Sequence, residues 1–271
     1  MTIKVIAEIG SVHDGSYGNS KKLIDLAKNC GADIVKFQYH IAEFESMKNA
    51  VSPSYFSDEK RFDYFKRTSF TLTQWKSLIN YSKQKKIVFL CSVFSIEAFK
   101  NLLSLGVKSF KIPSGEVTNL PLLEEISRYK KIRIFLSTGM SNMREIEKAY
   151  NILKTNSLII MQCTSLYPCP NNMVGINVID EFKKKFKNCQ IGFSDHTMDN
   201  VSALLAASKG ANYFEKHITF SRQMYGSDAK FASEPEDFKI YCKSIKQANS
   251  ILSSKVNKNN LKPFISMRKI F

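Results

Sequence analysis

Short runs rich in Ile, Val, Phe, Leu and Ala recur along the chain at 3–9, 33–38, 87–93, 108–112, 132–137, 157–163, 190–194 and 212–218. Several are almost continuously apolar, the pattern of parallel strands covered on both faces. The segments between them carry helical spacing and helical punctuation. Residues 20–30 place Leu23, Ile24 and Ala27 on one face and stop at Gly31. Thr71 with Gln74 forms a capping box ahead of Trp75, Leu78 and Ile79, and Ser95 opens a helix that Gly106 follows. Ser233 with Glu236 is expected to open the last helix and to send Phe238, Tyr241, Cys242, Ile245, Ala248 and Leu252 toward the core. Eight β-then-α units predict an α/β protein of the (β/α)₈ TIM-barrel class over residues 1–252, with 253–271 as a tail. An open doubly wound sheet is the alternative.

A barrel makes a positional prediction, because catalytic side chains collect just beyond the C-terminal ends of its strands. The polar residues follow that rule. The first strand ends in Glu8, the second in Lys36 and Gln38, the third near Ser92, and the fourth in "KIPSGE" with Lys111, Ser114 and Glu116. The remaining four end in "STGM", "CTSLYP", "SDHT" and "EKHIT". Turn chemistry explains some of these residues, but not lysines and a glutamate within strands.

Composition narrows the function classes. The 271 residues suffice for one sizeable core, and no Pro-, Gly- or Ser-rich linker divides them. There is no secretory leader pattern and no run long enough to span a bilayer, so a soluble cytoplasmic protein is expected. The six cysteines show neither a CxxC pair nor metal-ligand spacing and are expected to be reduced. The net charge of +16 suits nucleic acid, a membrane surface or a small anion. Lysine clusters at 83–86 and 183–185 fall at helix ends, and no aromatic stripe accompanies them, which argues against a nucleic-acid face.

Two of the four histidines, His196 and His217, stand in matching positions after consecutive strands. Barrel strands lie about 4.8 Å apart, so the two imidazoles can converge on one divalent ion and leave positions open for water and substrate. Separate structural roles are the other reading. His13, in the loop after the first strand, is expected to line the pocket, and His40 to be a loop residue. Lys36 and Lys111 need anions if they face the interior. With Ser92, Ser114, Ser137 and Ser194 they can cradle a phosphate, or they can pair with Glu8, Glu116 or Glu215.

Seven motifs in order, "AEIGSVHDGS", "ADIVKFQ", "FKIPSGEVTNLPLL", "LSTGM", "CTSLYPCP", "GFSDHT" and "FEKHIT", resemble the N-acetylneuraminate (sialic acid) synthase family. The resemblance implies condensation of phosphoenolpyruvate with an N-acetylmannosamine-type sugar, giving a nonulosonic acid (sialic, legionaminic or pseudaminic type) and phosphate. It makes His196 and His217 ligands of a divalent ion, Mn²⁺ by expectation, with Mg²⁺ or Co²⁺ as alternatives. It turns Lys36, Ser92, Lys111, Ser114, Ser137, Ser165 and Ser194 toward phosphoenolpyruvate. Glu8, Gln38, Glu116 and Glu215 surround the reacting centre in this reading, and Asn49, Tyr167 and Asp228 contact the sugar.

Three departures from the family pattern accompany the likeness. Val12 stands where asparagine is usual, and Ala229 follows Asp228 where histidine is frequent. The chain ends at "MRKIF", where the family usually continues into an antifreeze-like domain that caps a partner's barrel. A homodimer and a separate cap protein are therefore expected partners. The alternatives are a noncatalytic sugar- or phosphate-binding barrel, and a related phosphoenolpyruvate-condensing enzyme that uses a phosphorylated sugar.

Overall fold

Eight parallel strands close into a barrel in the computed structural model, which describes residues 3–52 and 59–271. The strands are β1 (Lys4–Gly10), β2 (Ile34–Tyr39), β3 (Val88–Val93), β4 (Ser109–Ile112), β5 (Arg133–Ser137), β6 (Ser157–Cys163), β7 (Gln190–Asp195) and β8 (Tyr213–His217). Each pairs with its sequence neighbours, and β1 closes the ring on β8. The open doubly wound sheet is thereby excluded, and every predicted strand lies within two residues of an observed one.

Helices α1 (Tyr17–Asn29), α2 (Ala42–Glu45), α3 (Arg61–Thr68), α4 (Leu72–Gln84), α5 (Ile96–Ser104) and α6 (Leu120–Ser127) follow in chain order. Then come α7 (Met143–Leu153), α8 (Ile176–Lys185), α9 (Val201–Ser208), α10 (Pro235–Ser253) and α11 (Ile265–Arg268). The predicted signals act where expected. Thr71 and Gln74 make the reciprocal capping box of α4, and the Ser95 hydroxyl accepts from Ala98 N at the start of α5. Gly31 takes φ +96° just past α1, a conformation that costs glycine least.

The last helix differs from expectation at both ends. Glu234 is its N-cap and Pro235 its first residue, because Ser233 is engaged elsewhere: its N–H donates to His217 O and its carbonyl accepts from Thr219 N. Ser233 therefore extends the β8 edge instead of capping. At the other end, α10 outruns the barrel and Leu252 is exposed, while Phe238, Tyr241, Cys242 and Ile245 are buried as predicted. Residues 254–271 are exposed throughout and hold one 3₁₀ turn and the short α11. Helices α2 and α3, in the long β2-to-α4 connection, had no counterpart in the periodicity.

Strand alternation decides what enters the barrel. One parity packs outward against the helices: Val5, Ala7 and Ile9 on β1, Val35 and Phe37 on β2, Phe110 and Ile112 on β4, all in the main core. The other parity points inward and changes character along the axis. Ile6, Ile34, Leu90, Phe135, Ile159, Met161 and Tyr213 fill the lower interior as a separate apolar cluster. Two residues further on come Glu8, Lys36, Ser92, Lys111, Ser137, Ser194 and Glu215, all buried. The apolar layer is thus the floor of a polar chamber.

Candidate active site

The chamber opens into a cleft of about 690 Å³ at the C-terminal mouth. Fifteen of the sixteen site residues predicted from sequence line it: Glu8, Lys36, Gln38, Ser92, Lys111, Ser114, Glu116, Ser137, Ser165, Tyr167, Ser194, His196, Glu215, His217 and Asp228. Asn49 is the exception, being exposed on the turn after α2 and away from the cleft lining. A second, shallower hollow of about 610 Å³ lies beside α2 and α5. Its two lysines are already paired, Lys66 with Glu43 and Lys100 with Glu125.

At the chamber floor the lysines meet carboxylates. Lys36 Nζ lies 3.1 Å from Glu8 Oε1, 3.3 Å from Glu215 Oε1 and 3.3 Å from Ser92 Oγ. Lys111 Nζ donates to Glu215 Oε2 at 2.7 Å, and Ser194 Oγ donates to Glu215 Oε1 at 3.1 Å. Of the three anionic partners the sequence offered, Glu8 and Glu215 take the lysines, whereas Glu116 accepts from Asn119 Nδ2 at 2.7 Å.

The two carboxylates respond oppositely to this setting. Burial pushes Glu8 up to about 7, against the pull of Lys36, with Glu215 adding to the rise. Glu215 is also desolvated, but Lys111 and Lys36 together outweigh burial and hold it well below the usual range. The lysines split as well. Burial opposes charge on both, yet Glu215 and Glu8 leave Lys36 raised, while Lys111, facing Glu215 with Lys36 nearby, ends lowered. The charges are two positive and at most two negative, and Glu8 Oε2 is buried without a hydrogen-bond partner.

Above the floor, His196 and His217 stand with ring centroids 5.9 Å apart. His196 Nδ1 is held by the Thr164 carbonyl at 2.7 Å, which leaves Nε2 free. His217 Nδ1 is buried with no partner, and burial, reinforced by His196 and Lys36 against Asp228, lowers the ring to about 4. A neutral imidazole with an unused nitrogen fits a metal ligand. Among the described residues no cluster of three or more His, Cys, Asp and Glu is placed to hold an ion, so an ion held by this pair would need further ligands from water or substrate.

The rim carries groups suited to a polyol. Asp228 Oδ2 accepts from Ser11 N at 2.8 Å and Ser11 Oγ at 2.9 Å, and Tyr167 packs its ring 4.2 Å from His196. Gly10 makes the Asp228 seat possible: it sits at φ +54°, and a Cβ there would overlap Asp228 Oδ2. Gly139, in "STGM", similarly leaves room for Ser165 and Ser114 Oγ, and its N–H donates to the latter at 3.0 Å.

One histidine, His13, is not where the sequence suggested, and another, His40, is the expected loop residue but with a place in the cleft. His13 does not line the cleft; it is buried against Phe70, and its Nδ1 accepts from Gly15 N. His40 does line the cleft, buried in the loop just after β2. Sequence reasoning also missed Ser11, Glu45, Arg61, Phe94 and Phe231. Ser11 had a usable signal, lying in the first motif just beyond Gly10. The others reach the cleft through loops whose course no local pattern fixes. Val12 and Ala229, the two departures from the family pattern, are fully buried and apolar.

A (β/α)₈ barrel with buried lysines, carboxylates and a histidine pair converging at its C-terminal mouth defines an enzyme that binds a small anionic substrate. Comparison with known proteins makes this specific. The sequence model of the NeuB family matches residues 23–257, and the chain belongs to that family. N,N'-diacetyllegionaminic acid synthase of Campylobacter jejuni is 38% identical over 264 residues, covering 94% of this chain and 78% of that protein. Human N-acetylneuraminate-9-phosphate synthase is 33% identical over 256 residues, covering 92% and 71%. The crystal structure of N-acetylneuraminic acid synthetase from Leptospira borgpetersenii, in complex with citrate, superposes with a TM-score of 0.85 at 27% identity, covering 99% of this chain and 92% of that one. The named relatives include N,N'-diacetyllegionaminic acid, pseudaminic acid and N-acetylneuraminate-9-phosphate synthases. Among the described residues no helix is long and apolar enough to cross a membrane.

Proposed function

We propose that this chain condenses phosphoenolpyruvate with an N-acetylmannosamine-type amino sugar in the cytoplasm, forming a nine-carbon nonulosonic acid and phosphate. The observation that carries the reading is the pairing, within one cleft, of two buried lysines on the chamber floor with two imidazoles above them. Phosphoenolpyruvate has its phosphate and carboxylate met by Lys36, Lys111 and the hydroxyls of Ser92, Ser114, Ser137, Ser165 and Ser194. Each charge-assisted hydrogen bond there contributes roughly 1.5–3 kcal/mol.

His196 and His217 would hold a divalent ion, Mn²⁺ by preference, which supplies Lewis acidity toward the aldehyde oxygen of the open-chain sugar. The methylene carbon of phosphoenolpyruvate attacks the aldehyde carbon, and positive character develops at the phosphate-bearing carbon. Glu8 stands beside Lys36 with one free oxygen, suited to stabilise that charge and to take a proton from the water that adds there. The tetrahedral carbon then expels phosphate, whose charge Lys36 and Lys111 balance. Asp228 and Tyr167 orient the sugar hydroxyls from the rim.

The test is phosphate release from phosphoenolpyruvate with Mn²⁺ and a panel of acetamido and diacetamido hexoses, free and phosphorylated. Bridging oxygen-18 in phosphoenolpyruvate should appear in the phosphate. Retention of the label in the sugar acid would overturn C–O cleavage, and ligand binding without phosphate from any acceptor would make the chain a binding protein.

A further inference from the structure

We propose that His40 is a positioning residue for this reaction: it orients the carboxamide of Gln38, which in turn fixes the carboxylate of Glu8. The proposal rests on the role given to Glu8 above. His40 follows β2 by one residue and is 8% exposed. Its ring lies between Phe65 of α3, at a centroid distance of 3.7 Å and an interplanar angle of 8°, and Phe94 just after β3, at 4.0 Å and 24°. Two flanking aromatic faces confine the imidazole to one plane.

Within that plane both nitrogens are used. Nδ1 is 2.6 Å from Glu45 Oε1, and Glu45 is itself tied down by Ile41 N, which donates to Oε2 at 3.3 Å. Nε2 is 3.0 Å from Gln38 Oε1. Both ring nitrogens therefore face oxygens, and the tautomer with the proton on Nε2 donates to Gln38 Oε1. With its oxygen occupied, the amide of Gln38 must turn its NH₂ toward Glu8, and Nε2 donates to Glu8 Oε1 at 2.7 Å. The same Oε1 lies 3.1 Å from Lys36.

The outcome is a chain of hydrogen bonds from Glu45 through His40 and Gln38 to one oxygen of Glu8, while Oε2 keeps no partner. Without His40 the carboxamide loses its reason to prefer one orientation. In the flipped orientation its oxygen would face the carboxylate, a repulsive contact that would push Glu8 off its position. Small misplacements of a reacting group can cost about a hundredfold in rate. Helices α2 and α3, otherwise unexplained insertions, supply Glu45 and Phe65 to this assembly.

His40→Phe keeps an aromatic ring in the stack and removes both hydrogen bonds, which separates a polar role from packing. We expect kcat to fall by about tenfold to a hundredfold, with the KM for phosphoenolpyruvate little changed. In a Gln38→Ala background His40→Phe should have almost no further effect, because the two act in series. Wild-type kcat in His40→Phe, or an equal loss in the Gln38→Ala background, would overturn the proposal. Glu45→Gln, which loosens only the outer anchor, should give a smaller loss and serves if His40→Phe does not fold. The side-chain amide protons of Gln38, observed by ¹⁵N NMR, report the orientation without turnover. Amide-proton shifts displaced from those of a free glutamine side chain in the wild type that move to the free values in His40→Phe support positioning even if no acceptor reacts, whereas unchanged shifts refute it.

Discussion

Asp195 and Lys216 form a buried ion pair of 3.2 Å directly behind the two cleft-lining imidazoles, His196 and His217. Each immediately precedes one of them in the chain, and alternation sends the histidines into the cleft and the charged pair outward, where Lys216 lies 5.0 Å from the Tyr241 ring of α10. Lys216 Nζ also donates to Thr197 O at 2.7 Å and Asp199 O at 3.1 Å, while Asp195 Oδ1 accepts from Thr197 N and Oγ. The pair thus folds the loop beyond His196 and ties it to β8.

Breaking such a pair from one side leaves a buried charge, so Lys216→Met or Asp195→Asn should destabilise the fold by about 3–5 kcal/mol. The double variant should lose less than the sum of the singles. Urea titrations of the four proteins measure this, and strict additivity would count against direct coupling. Folded variants should also bind Mn²⁺ more weakly than the wild type.

The histidine pair is expected to act as one unit. His196→Ala and His217→Ala should each reduce turnover by about a hundredfold or more, with the double variant little worse than either. EDTA should silence the wild type, and added Mn²⁺ should restore it but not the variants. Steady-state assays with metal-free protein check both statements, and near-normal turnover in either single variant removes the metal site from the reaction.

Lys111→Met should raise the KM for phosphoenolpyruvate by about tenfold or more, the loss of one charge-assisted contact. Sugar affinity should hold, because Lys111 is on the chamber floor and the sugar-facing groups are at the rim. Separate titrations of the two substrates distinguish this from a general loss of structure.

Glu8 gives the pH dependence. Its carboxyl lies at about 7, raised by burial from 4.5, so its ionised form grows in through neutrality. If the carboxylate assists the water, kcat/KM should climb through about pH 7 on the acid side, and Glu8→Gln should lose most turnover. For stability the sign is opposite: this group's contribution is full below about pH 4.5 and is lost as pH rises through about 7. A pH–rate profile with its acid limb near 4.5 would assign the base to another residue.

Gly10→Ala tests the rim. The φ of +54° disfavours any side chain, and the added methyl would displace Asp228 from Ser11. We expect a cost of about 1–2 kcal/mol in stability and a raised KM for the sugar with phosphoenolpyruvate binding intact. Unchanged sugar kinetics would show that Asp228 does not contact the acceptor.

The sequence determined what local rules can determine. Strands covered on both faces have to be nearly continuous in apolar residues, and eight such runs with helical spacing between them specify the barrel. Because side chains alternate along a strand and the mouth lies at the strand ends, the sequence alone places Glu8, Lys36, Ser92, Lys111, Ser194, Glu215 and His217 in the cleft at the barrel mouth. Tertiary structure decided what depends on meeting across the chain. His13 and His40 have similar local settings, each just beyond a strand, yet Phe70 encloses one while Phe65, Phe94, Gln38 and Glu45 draw the other into the cleft. The cap of α10 was misplaced for the same reason, since Ser233 satisfies its backbone on β8, a partner distant in sequence. Asn49 lies on a turn whose direction no periodicity sets, and it ended outside the cleft. Hydrophobic pattern fixes an element because burial is a property of each residue's own face, whereas a polar side chain's role depends on which partner the folded chain brings within about 3 Å.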